Sequence, residues 1–253
     1  MIKKKKNGVS FLQFPDLAKF SEIDHKIFTR DKGFSEGPCR SLNVSFNVGD
    51  NPDSVKLNRR LISDGFDGKN LLFINQVHGK KVLFFSKNDK IPITGQITGD
   101  AMVTDRQGLF LGIQVADCQP ILMYEPECGV VANIHSGWCG SIKNIIGSTV
   151  EVMKKKAGCR PDRIIAGIGP SLGPCCAEFV NYKDEIPEKF WHHKDKKDYF
   201  DFWSISCSQL VEAGVLYKNI SLSRLCTMCN PELFYSYRKN NVTGRFASVI
   251  GIK

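Results

Sequence analysis

Three short segments each end an apolar run on a side chain able to bind a metal or begin a nucleophilic reaction. The first is Leu71 to Gly79, closing Gln76-Val77-His78-Gly79, and the second is Val115-Ala116-Asp117-Cys118. The third is Val130 to Trp138, closing Ile134-His135-Ser136-Gly137-Trp138. A strand of period two puts Gln76 on one face with His78, and Asn133 on one face with His135. Two imidazoles and one thiolate are the donor set of a catalytic zinc site that keeps a fourth position open. Zinc there would draw the pKa of a bound water toward ~7 and make a nucleophile at neutral pH. The same residues allow other readings. Cys118 and His135 could act as a thiolate nucleophile and its base, and a histidine or cysteine at a strand end also serves as an ordinary core residue. The long gaps between the three match no metal-binding spacing rule, so spacing leaves the choice open.

The elements that must carry these residues are short. Apolar, β-rich runs cover Leu71–Val77, Lys81–Phe85, Ala101–Thr104, Leu109–Val115, Ile121–Tyr124, Val130–Ile134, Arg163–Ile168, Leu233–Tyr237 and Phe246–Ile252. Turn signals punctuate them, among them Asp31–Gly37, Gly49–Pro52, Asp64–Gly68, Gly95–Gly99 and Gly169–Pro174. Two segments have helical spacing. Ile142, Ile145, Ile146, Thr149, Val150 and Met153 repeat at i, i+3, i+4, with Ser141 as N-cap and Gly158 as stop. A second helix is expected from Ser204 to Ala213, ended by Gly214. Many strands with few helices and no linker predict an α+β fold, a single domain of layered mixed β-sheets with flanking helices.

Composition narrows the class. The chain has 253 residues, 42% hydrophobic and 24% charged, which excludes wholesale disorder and a fibrous repeat. The longest apolar stretch, Leu109–Cys118, is interrupted by Gln114 and Asp117, so no membrane span is expected. Residues 1–10 are expected to be a flexible basic N-terminus, and without a signal h-region the protein is expected to be cytoplasmic. The net charge of +9 suits an anionic partner. Its lysine runs, Lys3–Lys6, Lys154–Lys156 and Lys194, Lys196, Lys197, lack interleaved aromatics, so no nucleic-acid partner is expected.

Ten cysteines in such a chain are expected to be thiols rather than disulfides. Cys226-Thr227-Met228-Cys229 has metal-ligand spacing, and Cys175-Cys176 could complete a four-sulfur site. Adjacent cysteines in a strand point to opposite faces, however, and the four are read as buried thiols. Five histidines exclude a four-copper oxidase, which needs about ten imidazoles, although one copper could still occupy a His/Cys site.

Five ordered motifs give a more specific reading. Asn75-Gln76-Val77-His78-Gly79, Thr98-Gly99-Asp100-Ala101, Ala116-Asp117-Cys118, Ile134-His135-Ser136-Gly137-Trp138 and Ile168-Gly169-Pro170-Ser171 together resemble the laccase-domain (polyphenol oxidase-like) family of purine nucleoside phosphorylases. Phe28-Thr29-Arg30, Ser41-Leu42-Asn43, Phe234-Tyr235-Ser236-Tyr237-Arg238 and Thr243-Gly244-Arg245 extend the likeness over residues 11–253, as one domain of that kind.

The resemblance implies zinc held by His78, Cys118 and His135, and phosphorolysis of adenosine, inosine and methylthioadenosine, with adenosine deamination beside it. The implied partners are a purine nucleoside and inorganic phosphate, with no membrane, in a monomer or homodimer. Within that reaction Arg30, Arg238 and Arg245 are candidates for phosphate, Asn43 and Gln76 for the base, and Asp100 for proton handling. A turn-capping role for Asp100 is the competing reading. Two rival activities keep the same residues: an amidase editing cell-wall precursors and a copper-dependent phenol oxidase side reaction. One departure bears on phosphate. The family usually reads His-x-Gly-Trp-Arg-Gly, whereas Cys139 stands at the arginine's place and cannot supply its fork of donors. Asp31-Lys32-Gly33 likewise departs from a usual double glycine.

Overall fold

The protein, seen in a computed structural model that describes residues 1–90 and 97–253, is built on two six-stranded sheets. The strands are β1 (Ile2–Lys6), β2 (Val9–Gln13), β3 (Ile23–Phe28), β4 (Asn70–Phe73), β5 (Val82–Phe85) and β6 (Ala101–Thr104). They continue with β7 (Leu109–Val115), β8 (Gln119–Glu125), β9 (Val130–Ser136), β10 (Ile165–Ile168), β11 (Ile220–Leu222) and β12 (Phe246–Ile252). One sheet runs β1-β2-β3-β12-β7-β4 and the other β11-β10-β8-β9-β6-β5. Each is mixed: β4 lies parallel to β7, β5 to β6 and β10 to β11, while the central pairs are antiparallel.

The helices are α1 (Pro15–Ala18), α2 (Pro52–Asp64), α3 (Trp138–Ile142), α4 (Ile145–Ala157), α5 (Tyr182–Glu185) and α6 (Phe202–Glu212). Side-chain alternation along the strands sorts the apolar residues into layers. Leu111, Ile113, Leu122, Tyr124, Val131 and Phe246 share one core cluster with residues of both sheets. Ile121, Met123, Ala132 and Ile134 turn the other way, onto Ile145, Ile146, Val150 and Met153 of α4 and Leu210 of α6. On the opposite side Phe110, Ala247 and Val249 pack with Ile62 of α2. The result is a helix–sheet–sheet–helix stack, the layered α+β single domain expected from the sequence.

Several local expectations change. Residues 2–6, expected in a flexible end, form β1 in full register with β2, whose side chains are buried from Val9 to Gln13. Backbone pairing and the buried partner strand hold a lysine-rich edge whose own side chains face solvent. Leu233–Tyr237 is a turn and loop rather than a strand, although Phe234 and Tyr235 are buried. The helix expected from Ser141 is two: Asn144, at φ 56°, interrupts it and caps α4 through its side chain on Gly147 N–H. Gly158 ends α4 in the left-handed conformation, as expected, and Lys154–Lys156 sit in its last turn, where cations are favourable. The helix α2 is absent from the sequence-based expectation. Asn51 caps it by accepting from Asp53 and Ser54 N–H, and its one-sided apolar face is thin: Val55 and Ile62 flank the buried polar Asn58. Of the turn expected over Gly95–Gly99, residues 95 and 96 lie outside the described residues.

Candidate active site

The chain crosses from one sheet to the other between β7 and β8, and the residues at that crossing meet the ends of β4 and β9. Cys118 sits in the crossing itself, after Asp117 at φ 84°. His135 is the penultimate residue of β9, and on its face Asn133 donates to the Leu111 and Ser248 carbonyls of the facing sheet, both at 2.9 Å. His78 arrives differently. The strand stops at Phe73 rather than Val77, and a turn with His78 at φ 56° aims the ring, so alternation along a strand does not place it. The donor atoms of His78, Cys118 and His135 all lie within 4.8 Å of one another.

Asp100 organises this group. It is fully buried, and its Oδ1 accepts from Val77 and His78 N–H at 3.1 and 2.8 Å while Oδ2 accepts from Gly79 N–H at 2.7 Å. The same Oδ1 stands 2.9 Å from His135 Nδ1. One carboxylate thus fixes the turn that carries His78 and the ring of His135, leaving His135 Nε2 for a metal or a thiol. Carboxylate–histidine pairs of this kind orient ligands at metal centres. With both oxygens so engaged, and away from the cavity wall, Asp100 is a positioning residue. The proton-handling role expected of it does not fit this geometry.

Electrostatics agree with the geometry. Burial alone would raise the Cys118 thiol, but the His135 charge and hydrogen bonds from both histidines bring it down to about 6. Burial would lower His135, and the neighbouring Cys118 and Asp100 instead raise it to about 9. Both shifts run in the direction that favours a thiolate beside an imidazolium. Gly137 leaves the space the three need: a Cβ there would stand 2.8 Å from Cys118 Sγ and 3.0 Å from His78 Cδ2. Gly137→Ala is accordingly expected to weaken metal binding by this group about 10-fold or more by displacing two of the three side chains, read by competition with a chromophoric chelator.

The three side chains open into a cavity of about 1120 Å3. Aromatic and apolar side chains rim it: Phe46, Tyr237 and Val180 are exposed there at 42%, 51% and 73%. Trp138 and Phe179 form another part of the wall, their rings 6.1 Å apart and near edge-on. Three arginines line the cavity: Arg59, Arg238 and Arg245. Arg238 Nη1 donates to the Glu178 and Cys176 carbonyls, and Arg245 Nη1 donates to those of Thr243 and Gly244. Arg59 is held by the Val44 carbonyl at 2.8 Å and stacks between Phe46 and Phe73. Burial pulls its guanidinium down to about 10, still charged at neutral pH.

Not every candidate reaches this cavity. Arg30 lies over the Tyr235 ring and donates to the Pro231 and Arg40 carbonyls, outside the cavity wall. Asn43 is wholly buried and saturated by Ser45, Asp50 and Arg245 N–H, so it shapes a loop instead of reading a base. Gln76 does line the cavity, but its amide pairs with both backbone groups of Gln114 at 2.8 Å. It works as a strand extension. Cys139, on α3, stands outside the wall. Arg59 was missed although Val55, Leu61 and Ile62 recur on one face of α2, because the segment is polar overall and gave no sign of reaching the site.

A family model described as multi-copper polyphenol oxidoreductase laccase matches residues 24–253, and the chain belongs to that family. Among curated relatives, purine nucleoside phosphorylase YlmD of Geobacillus stearothermophilus is 31% identical over 240 residues, covering 88% of this chain and 88% of that protein. A purine nucleoside phosphorylase of Deinococcus radiodurans is 33% identical over 256 residues, covering 97% and 94%. The crystal structure of YlmD from Geobacillus stearothermophilus superposes with a TM-score of 0.87 at 29% identity, covering 99% of this chain and 98% of that one.

Proposed function

We propose that this chain is a zinc-dependent purine nucleoside phosphorylase acting on adenosine, inosine and methylthioadenosine, with adenosine deamination at the same site. The observation that carries the reading is the conjunction of a buttressed His78–Cys118–His135 group with a cavity walled by aromatics and arginines. The names borne by its relatives point the same way. The family description suggests copper oxidation, but five histidines, two of them in this group, favour a single metal.

His78, Cys118 and His135 fit zinc by their chemistry: a soft thiolate and two imidazoles, one of them held in a single tautomer by the Asp100 carboxylate at its Nδ1. When bound, zinc supplies a Lewis acid and, for deamination, an activated water. The remaining work falls to the chain's own residues. In phosphorolysis an oxygen of hydrogen phosphate bonds to the anomeric carbon as the glycosidic C–N bond breaks, and the departing purine takes up the proton that the phosphate gives up. Arg238 and Arg245, with Arg59 beside them, provide positive charge for phosphate; their backbone contacts hold the forks in place before substrate arrives. Phe46, Phe179 and Tyr237 offer faces for the purine and help to exclude water. No side chain need replace an arginine at Cys139 itself.

The test is product analysis by mass spectrometry after incubating zinc-loaded protein and adenosine with and without inorganic phosphate. Adenine and ribose 1-phosphate formed only with phosphate are expected, together with inosine formed in both conditions. Failure to form ribose 1-phosphate would overturn the phosphorylase reading.

A second reading has its own support. Cys118, His135 and Asp100 are also arranged as nucleophile, base and orienting carboxylate, the order used by cysteine amidases. Alkylation separates the two. In metal-free protein Cys118 is expected to react with iodoacetamide at a rate that rises with pH and is half-maximal near about 6, where its thiolate forms. Under the phosphorylase reading zinc suppresses that reaction; a cysteine amidase would be inactivated by alkylation and indifferent to chelation.

A further inference from the structure

Four cysteines outside the cavity come together from two loops. Cys175 and Cys176 lie in the segment after β10, and Cys226 and Cys229 in the segment before β12. Their sulfurs all lie within 4.8 Å of one another, with Cys229 3.6 Å from Cys175 and 3.5 Å from Cys176. All are free thiols. A tetrahedron of sulfurs about 2.3 Å from a central zinc has edges of about 3.8 Å, so the spacing is that of a metal cluster rather than of covalent sulfur pairs at about 2.05 Å.

The objection from strand alternation does not hold, because Cys175 and Cys176 occupy a tight turn. Cys176 N–H donates to the Gly173 carbonyl at 2.9 Å, and there is no strand to send the two side chains to opposite faces. The Cys226–Cys229 stretch is also a turn, closed by Asn230 N–H on the Cys226 carbonyl at 3.1 Å. Gly173 N–H points at Cys226 Sγ at 3.3 Å, a backbone donor of the kind that supports a ligating thiolate.

We infer that Cys175, Cys176, Cys226 and Cys229 form a second, structural zinc site that clamps the two loops walling the cavity. Among the described residues, the loops share the isolated Ser171–Cys226 bridge as their β-pairing. Leu172 and Ala177–Asn181 line the cavity from the first loop, and Tyr237 and Arg238 line it beyond the second. Arg238 already reaches across to the Cys176 and Glu178 carbonyls. A four-thiolate site with all positions filled by protein is closed and structural, unlike the three-ligand group in the cavity.

The inference does not depend on the phosphorylase reading, and zinc counting keeps the two apart. Full-length protein, purified under reductant, is loaded with zinc, desalted and measured by mass spectrometry for metal per chain. Two equivalents are expected. Cys226→Ser/Cys229→Ser should lose one, and His78→Ala/Cys118→Ala/His135→Ala should lose the other. Should the serine variant fail to fold, cobalt substitution of the triple alanine variant decides: thiolate-to-cobalt charge transfer with tetrahedral d–d bands is expected. Absence of those bands would overturn the inference, as would zinc content unchanged by the serine pair, or disulfides trapped among the four cysteines. One equivalent, lost with the serine pair and kept in the alanine variant, would support this site while removing zinc from the cavity reading.

Discussion

Under the proposed function, Cys118→Ala is expected to lower kcat/KM for phosphorolysis of adenosine by roughly 10^3-fold or more, with loss of the zinc equivalent that the proposal places in the cavity. The size follows from the several kcal/mol that a bound metal contributes to stabilising charge in a transition state. The thiol is one of three donors, and the other two are imidazoles from different elements; two remaining ligands hold zinc poorly. Cys118→Asp is the informative companion, since a carboxylate can still ligate. It should recover part of the zinc and part of the rate together. An alanine variant with full activity would show that the thiolate is not needed. An aspartate variant that regains zinc but no activity would point to sulfur as a nucleophile.

Asp100→Asn should have the next largest effect, and it should appear in two independent measurements. Zinc affinity is expected to fall about 10- to 100-fold, because the amide cannot hold the His135 Nδ1–H as a carboxylate does. Stability is expected to fall by about 3 kcal/mol, since three backbone N–H groups in a buried turn lose a charged acceptor. The pH dependence distinguishes the carboxylate from a mere space-filler. Burial would raise the Asp100 pKa, but the His135 and backbone hydrogen bonds outweigh it and hold it below 3.8. A depressed carboxylate stabilises the fold above its unfolded-state value, and that contribution is lost as pH falls through the folded-state value. Chemical denaturation of the wild type should therefore show a steeper loss of stability below about pH 4 than the asparagine variant, which keeps only the contribution of the other depressed carboxylates. Equal slopes in both proteins would remove Asp100 from this role.

The corrections among the candidate residues share one cause. Asn43 and Gln76 have the right functional groups, but their hydrogen-bonding capacity is spent inside the protein, and Arg30 lies over the Tyr235 ring outside the cavity wall. Whether a polar side chain faces a ligand or a carbonyl depends on what the rest of the chain brings to it. Arg59 illustrates the reverse. Its helix is polar overall, with Asn58 buried, but Val55, Leu61 and Ile62 recur on one face, and packing through Ile62 delivers the guanidinium to the cavity.

By itself the sequence determined the layered α+β class and most of the strands from β4 to β12, and it singled out His78, Cys118 and His135, whose donor atoms the fold brings together. Those features rest on local chemistry: alternating or continuous apolar runs, turn residues, and rare donor types in recognisable motifs. Tertiary structure alone decided the rest. It paired the lysine-rich β1 to a buried neighbour, turned Asp100 inward as the common support of His78 and His135, and gathered four cysteines from loops far apart in the chain. The physical reason is that these depend on long-range closure. A turn's side-chain direction and the distance between remote sulfurs are set by how two sheets stack, which no local spacing encodes.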